Sequence, residues 1–227
     1  MRLYLFRFGV IPGINAPVPG YLVQTEDGVN ILIDTGAEPG GMVQVDPQDD
    51  PVARLAAVGV RPADVDFVVC SHLDPDHAGN HDRFPGAEFV VQRTHLAAAR
   101  AGDVPRLLAA KEHWGAPGLR YREVDGDTEL LPGIELIASG GHVPGHQSVL
   151  VRLPGTGPVL LAVDAIPNGM ALDAAARPIF PFDTDEEQVR VSTAKLIDLA
   201  EREGALIVRG HDAEQWPTLR HAPEFYG

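Results

Sequence analysis

The sequence holds a single cysteine, Cys70, so no disulfide can form within the chain. It has no apolar run near the ~18 residues a membrane helix needs, and no basic segment followed by an apolar one opens it. A cytoplasmic protein with no membrane partner is therefore expected. Basic residues are scarce: Lys and Arg total 18 against 32 Asp and Glu, a formal net charge of -14. No cluster of them is available to neutralise phosphates, which argues against nucleic acid. A Gly-x-Ser-x-Gly elbow is absent, as is a Gly-rich phosphate loop, which sets aside serine-hydrolase and nucleotide chemistry.

What is present is enough apolar residue, 44% of 227 positions, for one sizeable core. The 24 glycines and 20 prolines imply many short connections. No linker interrupts the pattern, so residues 1–227 are expected to form one domain. Oligomeric state is not encoded in any recognisable pattern.

Arg2 to Phe8 alternates as a first strand, and Gly9 to Pro19, with three prolines, reads as a loop. Its Val10, Ile11, Ile14 and Val18 either line a pocket or pack as a connector. Tyr21–Gln24 and Asn30–Asp34 form a hairpin around Gly28. Pro51 to Val58 is a short helix. Val65 to Cys70 is a nearly continuous apolar strand of the kind buried on both faces. Glu88–Gln92 is another strand, and Thr94–Arg100 and Val104–Trp114 read as helices, the second either core or lid. Further strands are expected at Ile134–Ile137, Ser148–Leu153, Val159–Val163 and Ala205–Val208. Pro167 to Phe182 is irregular, with Met170, Ile179, Phe180 and Phe182 as a candidate pocket wall. Thr184 to Glu187 starts a helix that reaches about Glu203. Both halves of the chain are strand-rich with helices between, which points to packed sheets covered by helices.

Chemistry concentrates where strands end. The run after Cys70 places His72, Asp74, Asp76 and His77 within six residues. Ile137 leads to His142, Val163 to Asp164, and Val208 to His211. One such residue is ordinarily a turn former or a hydrogen-bonded loop residue. Seven at strand ends are hard to explain that way, because buried acids are costly without a cation. Imidazole and carboxylate suit borderline divalent metals. One metal could take His72, Asp74 and His142, a second Asp76, His77 and His211, with Asp164 bridging. Two metals roughly 3.5–4 Å apart would activate water and polarise an acyl or phosphoryl oxygen. Asp34 is either a turn former or the partner that orients a ligand histidine. His146 reads as structural, and Cys70, His81, His95, His113 and His221 as packing or surface residues.

These residues resemble the metallo-β-lactamase superfamily, whose His-x-His-x-Asp-His motif is matched at His72, Asp76 and His77. Gly141-His142-Val143-Pro144-Gly145-His146-Gln147-Ser148 is similar to the Gly-His-x-x-Gly-His-Gln-Ser segment of the N-acyl homoserine lactonases. Asp164 follows His142 by 22 residues, as the bridging Asp does in that group, and Gly210-His211-Asp212 resembles their terminal segment. The resemblance implies a mixed α/β (α+β) chain folded as a four-layer αββα sandwich, with the site at the sheet edges. It implies a metallo-hydrolase that opens a lactone or ester by attack of metal-held hydroxide. An N-acyl homoserine lactone is one such substrate, which would make the activity quorum quenching. Asp76 is the candidate for moving a proton to the leaving alkoxide. The alternatives are a glyoxalase II-like thioesterase, a phosphodiesterase, or an iron-binding oxidoreductase or sensor of the same fold. The expected partner is a small ester or lactone.

Two positions depart from the family. Asp74 stands where the motif has its second His, and Pro167 stands where the lactonases carry a Tyr that contacts the substrate carbonyl. Asp74 adds a negative charge and a hard oxygen donor. Zinc is the expected metal, with iron or manganese admitted by that two-His-one-carboxylate set.

Overall fold

A computed structural model describes residues 1–227. Six strands make the first sheet in sequence order: β1 (Arg2–Ile11), β2 (Ala16–Gln24), β3 (Asn30–Ile33), β4 (Phe67–Val69), β5 (Glu88–Gln92) and β6 (Arg120–Val124). The second sheet runs β11 (Leu206–Arg209), β10 (Gly157–Val163), β9 (Gln147–Leu153), β8 (Ile134–Ala138), β7 (Thr128–Leu131). The helices are α1 (Pro51–Ala56), α2 (Pro75–Ala78), α3 (Arg93–Ala101), α4 (Lys111–Trp114) and α5 (Glu186–Glu203).

Alternation along each strand builds the layers. In β3, Ile31 and Ile33 face the second sheet and meet Val149, Val151 and Leu161, whereas Leu32 faces outward. In β4, Val69 faces inward and Val68 outward, where Phe89 of β5 lies beside it and Leu55 and Leu96 belong to the same outer cluster. On the far side Leu150, Leu160 and Ala162 are covered by Leu196 and Ala200 of α5. The order is helices, sheet, sheet, helix, which is the expected αββα sandwich. Strands covered on both faces must be apolar at nearly every position, as the Val65–Cys70 run is.

Three expectations are corrected. The loop expected over Gly9–Pro19 is mostly strand, because β1 continues to Ile11 and β2 begins at Ala16. Pro17 and Pro19 are tolerated there because β3 pairs with β2 only from Tyr21 to Gln24, which leaves the proline stretch with one free edge. Val18 is fully buried and Ile14 is exposed at the turn, so these residues do not line a common pocket. The helix expected over Val104–Trp114 is instead a 3-10 turn, Pro105–Ala110, followed by α4. The strands β6 and β7 were not anticipated. They are half-exposed edge strands whose polar residues mask the pattern.

The C-terminal strand ends converge on one edge. Val163 has φ +49°, a strained value for a β-branched residue, at the point where the β10–β11 register shifts. That bulge turns Asp164 out of the sheet. Gly210 permits it: a Cβ there would lie 2.6 Å from the Val163 carbonyl oxygen and 3.2 Å from Asp164 Oδ1.

Candidate metal centre

The seven residues from four strand ends meet in one cluster. The loop after β4 carries His72 and then Asp74, the residue preceding α2, whose first turn holds Asp76 and His77. His142 follows β8, Asp164 follows β10, and His211 follows β11. Ligand-type atoms of His72, Asp74 and His142 lie within 4.8 Å of one another, and so do those of Asp76, His77 and His211. Asp164 stands between the two trios. Its Oδ1 is 3.1 Å from His211 Nε2 and 3.4 Å from His77 Nε2, and its Oδ2 is 3.5 Å from His142 Nε2 and 4.0 Å from His72 Nε2.

Each histidine of the two trios is held by its Nδ1. His77 Nδ1 donates to Asp34 Oδ2 at 2.8 Å, and His211 Nδ1 to the Pro17 carbonyl at 2.8 Å. His142 Nδ1 meets Asp183 Oδ1 at 3.2 Å. His72 Nδ1 donates to Ser71 Oγ at 2.9 Å, and that hydroxyl donates to Asp34 Oδ2 at 2.6 Å. These acceptors fix the tautomer and leave all four Nε2 atoms turned inward, which is how metal-binding histidines are oriented. His72 Nε2 and Asp164 Oδ1 are buried and make no hydrogen bond. A buried polar atom without a partner is costly. Its presence on both a nitrogen and an oxygen facing one centre fits the donor set of a borderline divalent cation.

The electrostatics agree. Burial alone would lower the His77 imidazole, but Asp76, Asp164 and Asp34 outweigh it and push it up to about 10. Burial likewise opposes a charge on His142, yet hydrogen bonds to Asp183 and Asp74 push it up to about 9. Burial would raise the Asp164 carboxyl, while the charges of His211 and His77 hold it well below the usual range. Asp74 is held far below that range by His142 and His72, again against its burial. The carboxylates thus demand positive charge, which a metal or retained protons must supply.

Several contributors escaped the sequence reading. Asp183 lies just past the irregular stretch and is clasped by Arg177, which is fully buried, with Nη1 2.7 Å from Asp183 Oδ2. Arg106, on the 3-10 turn, reaches Asp74 with Nε at 2.7 Å from Oδ1 and 3.0 Å from Oδ2. Its guanidinium carbon lies 5.8 Å from the Phe182 ring centroid, and Phe182 itself is largely exposed at the rim. A lone Arg in an amphipathic stretch carries no signal of such a role. His95, expected to be a surface or packing residue, is buried: it accepts from the Leu73 amide at 2.8 Å and donates to the Pro144 carbonyl at 2.7 Å. Burial pushes it down to about 4, so it stays neutral while tying the His72 loop to the His142 loop. His146 bonds Ser139 Oγ at 2.9 Å, consistent with a structural role, and Cys70 is buried.

The metallo-beta-lactamase superfamily model matches residues 15–211. An N-acyl homoserine lactonase AttM of Azorhizobium caulinodans is 36% identical, with 92% of this chain and 87% of the relative covered. The N-acyl homoserine lactonase AiiA of Bacillus thuringiensis subsp. kurstaki is 32% identical over 93% and 88%. A solved N-acyl homoserine lactone hydrolase, with its product N-hexanoyl-L-homoserine at the catalytic metal centre, superimposes with a TM-score of 0.87 at 30% identity. That match covers 99% of this chain and 98% of the other. The αββα layers, the strand-end cluster and these matches over nearly the whole length agree, and the chain belongs to the metallo-β-lactamase superfamily.

Proposed function

We propose that this protein is a metal-dependent lactonase that opens the ring of N-acyl homoserine lactones, and so acts as a quorum-quenching enzyme. The observation that carries the reading is the pair of donor trios joined by Asp164, with all four histidines anchored through Nδ1 and turned inward through Nε2. In this reading His72, Asp74 and His142 would hold one divalent ion, Asp76, His77 and His211 would hold the second, and Asp164 would be shared between them. Zinc is the proposed metal, and Asp74 admits iron or manganese in the first position. Bound there, the ions would supply an activated water at neutral pH and polarise the ester carbonyl.

The chain's own groups do the rest. Asp164 and the four fixed imidazoles hold the centre rigid, so little reorganisation is needed as charge develops. Asp76 Oδ2 lies 3.6 Å from both His77 Nε2 and His211 Nε2, and its side chain keeps 23% of its surface exposed. It is the acid nearest to an incoming substrate and is placed to return a proton to the leaving alkoxide. Phe182, exposed beside Arg106, offers apolar surface for an acyl chain. Pro167 has no hydroxyl, so the carbonyl contact that the resemblance assigns to a Tyr is not made from that position.

A panel of N-hexanoyl homoserine lactone, an aliphatic δ-lactone, S-lactoylglutathione and bis-p-nitrophenyl phosphate tests the assignment. The homoserine lactone is expected to give a kcat/KM at least about 100-fold above the thioester and the phosphodiester. A preference for either of those two would transfer the assignment to the thioesterase or phosphodiesterase branch of the same fold.

A further inference from the structure

The first trio contains a residue the family motif does not have, and the fold supplies it with a partner. Asp74 is buried, with only 8% of its side chain exposed, and its carboxylate is shared between the trio's imidazoles and a guanidinium. Oδ2 faces the trio, 3.1 Å from His142 Nε2 and 3.4 Å from His72 Nε2. Arg106 Nε donates to both oxygens, at 2.7 Å to Oδ1 and at 3.0 Å to Oδ2. Arg106 is further fixed by Nη2 at 3.3 Å from the His142 carbonyl oxygen and by the Phe182 ring. It therefore touches both Asp74 and His142, the latter at its carbonyl oxygen and, 3.5 Å from Nη2, at Nε2, so it contacts two members of one trio.

The turn that presents Arg106 is itself anchored. Leu107 and Ala110 are buried in the outer core, and Trp114 Nε1 donates to the Leu107 carbonyl at 2.8 Å. The Arg106 guanidinium contributes one positive charge beside the trio. Two neutral imidazoles, one carboxylate and one guanidinium sum to zero, the same as three neutral imidazoles.

We infer that Asp74 and Arg106 act as one unit in place of a neutral histidine ligand, with Arg106 as a positioning residue that balances the Asp74 charge and fixes the carboxylate beside His72 and His142. The inference rests on the metal-binding reading above. Restoring the family motif with Asp74→His leaves Arg106 as an uncompensated cation next to a divalent ion, so the substitution weakens the first metal site instead of repairing it. Removing Arg106 as well relieves the defect.

The test is a double-mutant cycle on metal binding, without reference to turnover. Wild type, Asp74→His, Arg106→Leu and Asp74→His/Arg106→Leu are stripped of metal, shown to be folded by circular dichroism, and titrated with zinc against a chromophoric chelator. Asp74→His is expected to weaken the first site roughly tenfold or more, and the double variant to recover most of that loss. Asp74→Asn, which keeps the side-chain shape and cancels its charge, takes the place of Asp74→His should the latter not fold. Additive effects, with the double variant no better than the single one, would overturn the inference while leaving the metal centre intact. A wild type that binds no zinc would overturn the metal reading and this inference together.

Discussion

Asp164→Ala is expected to lower kcat/KM for lactone hydrolysis by on the order of 10³-fold and to leave the protein unable to hold two metals at once. Its two oxygens face different trios, Oδ1 toward His77 and His211 and Oδ2 toward His142 and His72. No neighbouring acid can replace it. Asp76 and Asp74 each approach imidazoles of one trio only. The position is also built at a cost, since Val163 before it holds φ +49° and Gly210 is stripped of a side chain to admit the approach. Such strain persists only where the surrounding structure enforces it. Metal analysis and lactone kinetics on the same preparation check the prediction. Near-wild-type turnover in Asp164→Ala would rule out a two-metal centre.

The second large effect is expected at a residue that touches no substrate. Asp34 accepts from the Ser71 amide at 2.8 Å, from Ser71 Oγ at 2.6 Å and from His77 Nδ1 at 2.8 Å. Through Ser71 it also governs His72. One carboxylate thus orients a histidine of each trio. Asp34→Asn keeps the shape and tolerates the positive φ of +59°, but its amide nitrogen presents a donor where a donor already points. The expected result is a 10–100-fold loss of zinc affinity, since partners behind ligand histidines act at that scale. Stability should fall by about 1–3 kcal/mol, the penalty for a buried donor left unmet. Chelator competition and urea unfolding read the two effects separately. Wild-type affinity in Asp34→Asn would show that the hydrogen bonds do not orient the ligands.

Asp34 also shows what a sequence can and cannot display. A carboxylate at a strand end has two ordinary readings, turn former or orienting partner, and only the fold brings Ser71 and His77 to it. The motif from His72 to His77 was legible because its four residues are neighbours in sequence and its strand is apolar throughout. His142, Asp164 and His211 were legible because each ends a strand. Arg106 and Asp183 were not, because each reaches the site from an irregular segment and their neighbours in sequence say nothing of it. The carbonyl of Pro17 was invisible for another reason: a backbone acceptor has no residue type, and prolines in β2 disguised a strand as a loop. Sheet order followed from alternation and apolar runs, and the edge strands β6 and β7 escaped because their exposed faces break that alternation.

If the two trios and Asp164 hold two divalent ions, both should be required to open a lactone ring. Stepwise addition of zinc to metal-free protein, with proton release from N-hexanoyl homoserine lactone followed at each step, tests it most directly. No activity is expected without metal, and a rise that levels off at two equivalents per chain. Full activity in the metal-free protein, or a plateau reached at a single equivalent, would contradict it.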